Sequence, residues 1–281
     1  MKSLAYGCHE EGIRSRFVPN NNGLLIHILE AGPVSDKAPV VLLLHGFPEL
    51  AYSWRHIMRT LAEQGFHVLA PDQRGYGRTE GWDPRFEADL SEYSALNLVH
   101  DMLGMLDHLN VSHLRAVIGH DFGAMGAGWF ALLRPDMCDM AMVHSAPFTG
   151  PPRRPAVDVD QAVEDLAGLE RPRKHYHWYY ATARANHDMS LPPQGLGPFL
   201  RAYYHHKSAD WVQNMPHPLE CWTAQELEKL PTYYVMDLHE TMPETVAWEM
   251  PTEDEIKRQT WFDESVLQVY VGEYQRNGFQ G

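Results

Sequence analysis

A strand-like run gives way abruptly to a helix-like one at Gly119-His120-Asp121-Phe122-Gly123, and few folds admit that junction. Leu114-Arg115-Ala116-Val117-Ile118 leads in, and the small-residue stretch Ala124 through Leu133 leads out until Pro135 stops it. So sharp a turn needs small residues on both sides of its apex, because the backbone there is strained and closely packed. Gly119 and Gly123 meet that need, and the apex is a carboxylate, Asp121. An aspartate is ionised at neutral pH and can attack a strained or activated carbon to form an ester. An isolated G-x-D-x-G is also an ordinary glycine-rich turn, so the surroundings must decide.

Upstream, Val40-Val41-Leu42-Leu43-Leu44 reads as a strand apolar on both faces, as in a parallel sheet, and it runs into His45-Gly46-Phe47-Pro48-Glu49. A glycine-containing loop at the carboxyl end of such a strand can turn the Phe47 N–H toward the apex, with the Phe122 N–H as a second donor. Leu24–Leu29 and Phe66–Ala70 are further strand candidates. Trp54, Ile57, Met58 and Leu61 fall at helical spacing, and Ser91 is placed to cap a helix whose stripe is Leu96, Val99, Leu103 and Leu106. Met140–His144 is the last strand candidate. This alternation predicts an α/β fold, a mostly parallel doubly wound sheet with its site at the carboxyl ends of the strands. After Pro147 the pattern changes: Gly150–Pro155 reads as a linker, and no clear strand follows it. The predicted division is a core over 1–148, an inserted helical cap over 149–274, and a return toward the core over 275–281.

With H-G-F-P-E, D-Q-R-G-Y-G-R-T (72–79) and G-H-D-F-G in that order, the sequence resembles the epoxide hydrolases of the α/β-hydrolase fold. The likeness continues in K-H-Y-H-W-Y-Y (174–180) and V-Y-V-G-E-Y-Q-R-N-G-F-Q-G (269–281), and so covers nearly the whole chain. It implies Asp121 as nucleophile, Tyr176 and Tyr270 as donors to the epoxide oxygen, and the Phe47 and Phe122 N–H groups as an oxyanion hole. Trp178 and Tyr180, in the same motif as Tyr176, are expected at the substrate. The implied activity converts an apolar epoxide and water to a vicinal diol through an ester on Asp121. One element of the family pattern is not found: the general-base histidine and its acid partner follow the cap in the family, and none of the 17 histidines here lies in an equivalent segment. Met140–His144 also runs into Ser145-Ala146-Pro147-Phe148, which offers no acid. The expectation is a chain that is poorly soluble alone and that reacts once and stalls as the ester.

Two other readings compete. A haloalkane or haloacid dehalogenase uses the same carboxylate but holds halide with side-chain donors, and neither Phe47 nor Phe122 has one. A truncated, non-catalytic ligand-binding protein is the non-enzyme reading, and Asp121 itself argues against a serine esterase. A net charge of −14 disfavours nucleic acid and anionic membrane as partners, and no apolar run approaches a membrane span. The start of the chain lacks the apolar core of a signal peptide, and three scattered cysteines suggest no disulfide framework, so a cytoplasmic setting is expected. Neither cofactor nor metal is expected. His175, His177, His205 and His206 are expected on the cap surface, His120 as structural, and Glu49 either as a hydrogen-bonding group within its loop or as a solvated carboxylate. A homo-oligomer is left open.

Overall fold

The computed structural model describes residues 11–151 and 159–281. They form two compact units, one of residues 11–151 with Gln280–Gly281 and the other of residues 159–279. Most of the linker read over Gly150–Pro155, and Cys8, lie outside the described residues.

The first unit is an α/β layer structure. Its strands are β1 (Ile13–Pro19), β2 (Leu25–Ala31), β3 (Val40–Leu44), β4 (His67–Pro71), β5 (Ala116–His120) and β6 (Ala141–His144). Its helices are α1 (Arg55–Glu63), α2 (Ala95–His108) and α3 (Phe122–Leu133). The sheet order is β1-β2-β4-β3-β5-β6. β3 pairs in parallel with both β4 and β5, and β5 with β6, while β1–β2 and β2–β4 are antiparallel. β1 was not anticipated, because Ile13-Arg14-Ser15-Arg16-Phe17 carries too much charge for an apolar run. It survives as an edge strand, with Arg14 and Arg16 both reaching Glu30 on β2.

The core of this unit gathers Ile26, Ile28, Leu42, Leu44, Leu69 and Val117 from the sheet with Met105, Leu106 and Phe130 from the helices. Each such side chain contributes about 1.5–3 kcal/mol by leaving water. α2 is capped by Ser94, whose hydroxyl accepts from the Asn97 N–H, and not by Ser91, which lies in a separate 3₁₀ turn. Its buried stripe is accordingly Val99, Met102, Met105 and Leu106, and Leu96 stays exposed. Ile57 also lies exposed, because Trp54 belongs to a 3₁₀ turn before α1 and not to the helix itself.

The second unit contains α4 (Val159–Ala167), β7 (Arg173–His175), α5 (Tyr176–Tyr180), α6 (Ala185–Ser190), α7 (Leu196–His206), α8 (Ala224–Leu227), β8 (Val235–Asp237), α9 (Met242–Ala247), α10 (Glu253–Arg258) and α11 (Glu264–Asn277). The expectation of no strand here is corrected by β7 and β8, a three-residue antiparallel ribbon in which Arg173 pairs with Asp237. α7 is central, packing against both α9 and α11. Two helices open with reciprocal Thr/Glu caps, Thr241 with Glu244 and Thr252 with Glu255.

Candidate active site

β3 and β5 lie side by side, with Leu44 opposite Gly119, so the loops leaving their carboxyl ends meet. From β5 the chain turns through Asp121 into α3, and Asp121 takes φ +53° with ψ −120°. That backbone region costs a non-glycine residue about 1–3 kcal/mol and needs rigid surroundings to persist. The glycines supply those surroundings. A Cβ on Gly119 would overlap the Gly123 carbonyl, one on Gly123 would overlap the Leu44 carbonyl, and one on Gly46 would overlap the Asp121 side chain. The elbow is therefore clamped against the 45–49 loop with no room for side chains.

Across that contact the Phe47 N–H donates to Asp121 Oδ1 at 3.0 Å. The next peptide, Phe47–Pro48, is cis. Phe122 is the first residue of α3 and is 44% exposed. The Asp121 N–H itself donates to the His144 carbonyl at 3.0 Å, tying the apex to β6.

Three side chains hold the loop. The Glu49 carboxylate accepts from the Gly46 N–H at 3.0 Å and pairs with His120 Nδ1 at 2.8 Å. It thus links the loop carrying Phe47 to the residue before Asp121, and of the two readings open in the sequence it takes the hydrogen-bonded one. Burial opposes its ionisation, but the His120 bond and charge and the Gly46 N–H outweigh burial and hold its carboxyl below the ordinary range. His45 is fully buried: its Nδ1 bonds the Gly46 carbonyl at 2.8 Å, and its Nε2 accepts from the Gln73 N–H at 3.1 Å. Both ring nitrogens are occupied, and burial pushes its pKa down, so it is a structural histidine. Asp72 accepts from the Ala51 N–H and the Arg78 N–H, each at 3.0 Å, and Arg74 forks onto buried Asp101 with two bonds of 2.9 Å. The D-Q-R-G-Y-G-R-T motif is thus scaffolding for the loops. Tyr76 stacks edge-on against His45, and burial, with the Asp121 charge behind it, raises its hydroxyl pKa.

The second unit carries the remaining expected residues. Tyr176 opens α5, half-buried, with its ring edge-on to Tyr180 at 5.4 Å. The Tyr180 and Tyr203 hydroxyls are hydrogen-bonded at 2.9 Å. Tyr270 lies buried on α11 against Tyr204 and Phe262. Tyr176 and Trp178 line a cavity of about 440 Å³ with Trp222, Leu227, Leu230 and Tyr234. The histidines expected on the surface divide: His177 is exposed, but His205 and His206 are 4% and 1% exposed. His205 bonds Gln259 through Nδ1 at 2.6 Å, because α7 turns its last residues into the unit's interior. Among the described residues no cluster of three or more His, Cys, Asp or Glu side chains could hold a metal.

Residues 39–173 match the family model for the α/β-hydrolase fold. Epoxide hydrolase 3 of Siraitia grosvenorii is 44% identical over 138 residues, 49% of this chain and 40% of that protein. Epoxide hydrolase B of Mycobacterium tuberculosis is 42% identical over 131 residues, 47% of this chain and 35% of that one. The structure of potato (Solanum tuberosum) epoxide hydrolase I superposes with a TM-score of 0.67 at 30% identity, covering 96% of this chain and 71% of that one. The chain belongs to the epoxide hydrolases of the α/β-hydrolase fold. A further epoxide hydrolase, from an endophytic Streptomyces, gives a TM-score of 0.72 at 27% identity, covering 70% of that chain. Against the curated epoxide hydrolases the match spans well under half of their length. Among the described residues no helix is long and apolar enough to cross a membrane.

Proposed function

We propose that Asp121 opens an apolar epoxide by attacking one ring carbon, forming an alkyl ester as the carbon–oxygen bond breaks. The electron pair stays on the epoxide oxygen, which takes a hydrogen bond and then a proton from Tyr176 or Tyr270. Water adding to the ester carbonyl then releases a vicinal diol and restores the carboxylate, and the proton this frees returns to the tyrosinate. In the first step the Phe47 N–H holds Oδ1, leaving the other carboxylate oxygen to attack. In the second the same N–H, joined by that of Phe122, steadies the oxyanion. Residues 159–279 take the role of cap, and Trp178 and Tyr180 that of substrate contacts. The apolar character assigned to the substrate is supported by the aromatic walls around Tyr176 and Trp178.

The observation that carries this reading is the 3.0 Å bond from the Phe47 N–H to a carboxylate on a strained elbow. A carboxylate serving only the turn would need neither the strain nor an oriented donor. Consumption of styrene oxide under single-turnover conditions tests it. Asp121→Asn, retaining size and shape, should leave no consumption above the buffer rate, since an amide oxygen is a poor nucleophile. Consumption at the wild-type rate would remove Asp121 from this role.

A further inference from the structure

The wall of the cavity beside Tyr176 carries a polar side chain that the proposed chemistry does not use. The cavity, about 440 Å³, is faced by Trp178, Trp222, Leu227 and Tyr234, and no carboxylate, ammonium or guanidinium stands among its described lining residues. An ionic ligand would meet no counter-charge there, so the occupant it suits is neutral and largely apolar. His175, the residue that caps α5, lines the same space. It is half-buried, with the rings of Tyr176, Trp178 and Trp222 at 4.9, 5.6 and 6.3 Å between centroids.

This imidazole has one donor to offer. Its Nδ1 accepts the backbone N–H of His177 at 3.4 Å. Burial, with the charge of His177 behind it, pushes its pKa down to about 4, so near pH 7 the ring is neutral and its single proton sits on Nε2. Nε2 has no partner among the described residues, and unlike the two nitrogens of His206 it is not sealed from solvent. The other polar groups of the wall are placed differently. The Tyr234 hydroxyl pairs with that of Tyr233, His177 is exposed to water, and the Tyr176 hydroxyl is assigned to the epoxide oxygen. An N–H among aromatic faces is left unpaired when hydrocarbon fills the space around it. A neutral oxygen that only accepts, as in an ether, satisfies it and brings no further O–H to be satisfied.

We propose that His175 is a specificity-determining residue, whose Nε2–H binds a neutral ether-type oxygen lying between the epoxide and the aromatic frame of the substrate. His175 and Tyr176 are chain neighbours with adjacent rings, so that oxygen lies within a few bonds of the epoxide. The epoxide end of this ligand rests on the proposed reaction, whereas the donor and its aromatic walls do not.

Isothermal titration of the full chain carrying Asp121→Asn, which the proposed chemistry leaves unable to form the ester, tests the donor by binding alone. Benzyl glycidyl ether and 5-phenyl-1,2-epoxypentane share one length and differ only by an oxygen in place of a methylene group. The ether should bind about five- to tenfold tighter, the worth of one neutral hydrogen bond. With His175→Phe added the two affinities should become equal, and with His175→Gln, which restores an amide N–H, part of the preference should return. Should His175→Phe fail to fold, nitrogen-15 NMR of the Asp121→Asn chain reads the same contact: the protonated Nε2 of His175 should shift with the ether and not with the hydrocarbon epoxide. Equal affinities in the Asp121→Asn chain, binding of neither epoxide, or an ether preference that survives His175→Phe would each overturn the proposal. Single-turnover consumption by the wild-type chain separates the two readings. Consumption without an ether preference in binding removes the donor role alone, and an ether preference without consumption removes the reaction alone.

Discussion

At the scale of single residues, the motif at 119–123 was legible because its requirement is steric: only glycines fit where Gly119 and Gly123 sit, and the apex must tolerate φ +53°. Glu49 was legible only in part. A carboxylate after a proline looks solvated in one dimension, and its two partners, Gly46 and His120, lie three and 71 positions away. Its geometry predicts that Glu49→Gln loosens the Phe47 donor without removing the nucleophile. Alkylation should slow on the order of tenfold, the worth of one charge-assisted bond partly retained by the amide. Rapid-quench measurement of the first turnover checks this, and an unchanged rate would make the Glu49–His120 pair merely structural. Removing one phenol donor, in Tyr176→Phe or Tyr270→Phe, should slow alkylation roughly 10²-fold, as for a single oxyanion donor. Wild-type alkylation rates in both variants would sink those assignments.

Among the elements, those with one dominant signal were readable: apolar β3, the β5–α3 junction, and the parallel pairs they imply. β1 and the β7–β8 ribbon were hidden because charge and short length erase strand periodicity, and their pairing is set by tertiary neighbours. The shift of the α2 cap from Ser91 to Ser94 follows from a 3₁₀ turn that the serine pattern cannot reveal. Two consequences belong here. A methyl group on Gly119 has backbone against it and nowhere to go, so Gly119→Ala should destabilise the α/β unit by about 3 kcal/mol or more in urea unfolding. A cost below 1 kcal/mol would mean that the elbow is not clamped. On β2, burial works against ionised Glu30, but the bonds from His67 and Arg16 outweigh it and lower its pKa from 4.5 to about 2. A depressed carboxylate contributes stability above its unfolded pKa and loses it as pH falls through the folded value. Urea stability should therefore decline between about pH 4.5 and 2, and Glu30→Gln should flatten that decline. An identical slope in the variant would show that the cluster adds nothing.

For the molecule as a whole, β6 stands at the edge of the six-stranded sheet, with Met142 and Val143 exposed and Met140 just before it 51% exposed. A parallel strand with apolar side chains and unpaired backbone groups is a template for association. Val143→Lys should therefore raise the concentration at which the purified chain begins to scatter light, and no change would locate association on another surface. The described residues form two units, with strands alternating with helices before Pro147 and aromatic-rich helices after it. The burial of His205 and His206 was not readable, because a histidine pair at a helix end looks the same wet or dry.

The central claim is that the Asp121 carboxylate forms the bond to carbon. Its most direct measurement is peptide-level mass spectrometry of the chain quenched in acid within its first turnover with styrene oxide. One added epoxide mass on the peptide carrying Asp121, absent in Asp121→Asn, is the predicted result. Epoxide attached to a different residue, or diol formed at an undiminished rate by Asp121→Asn, would contradict it.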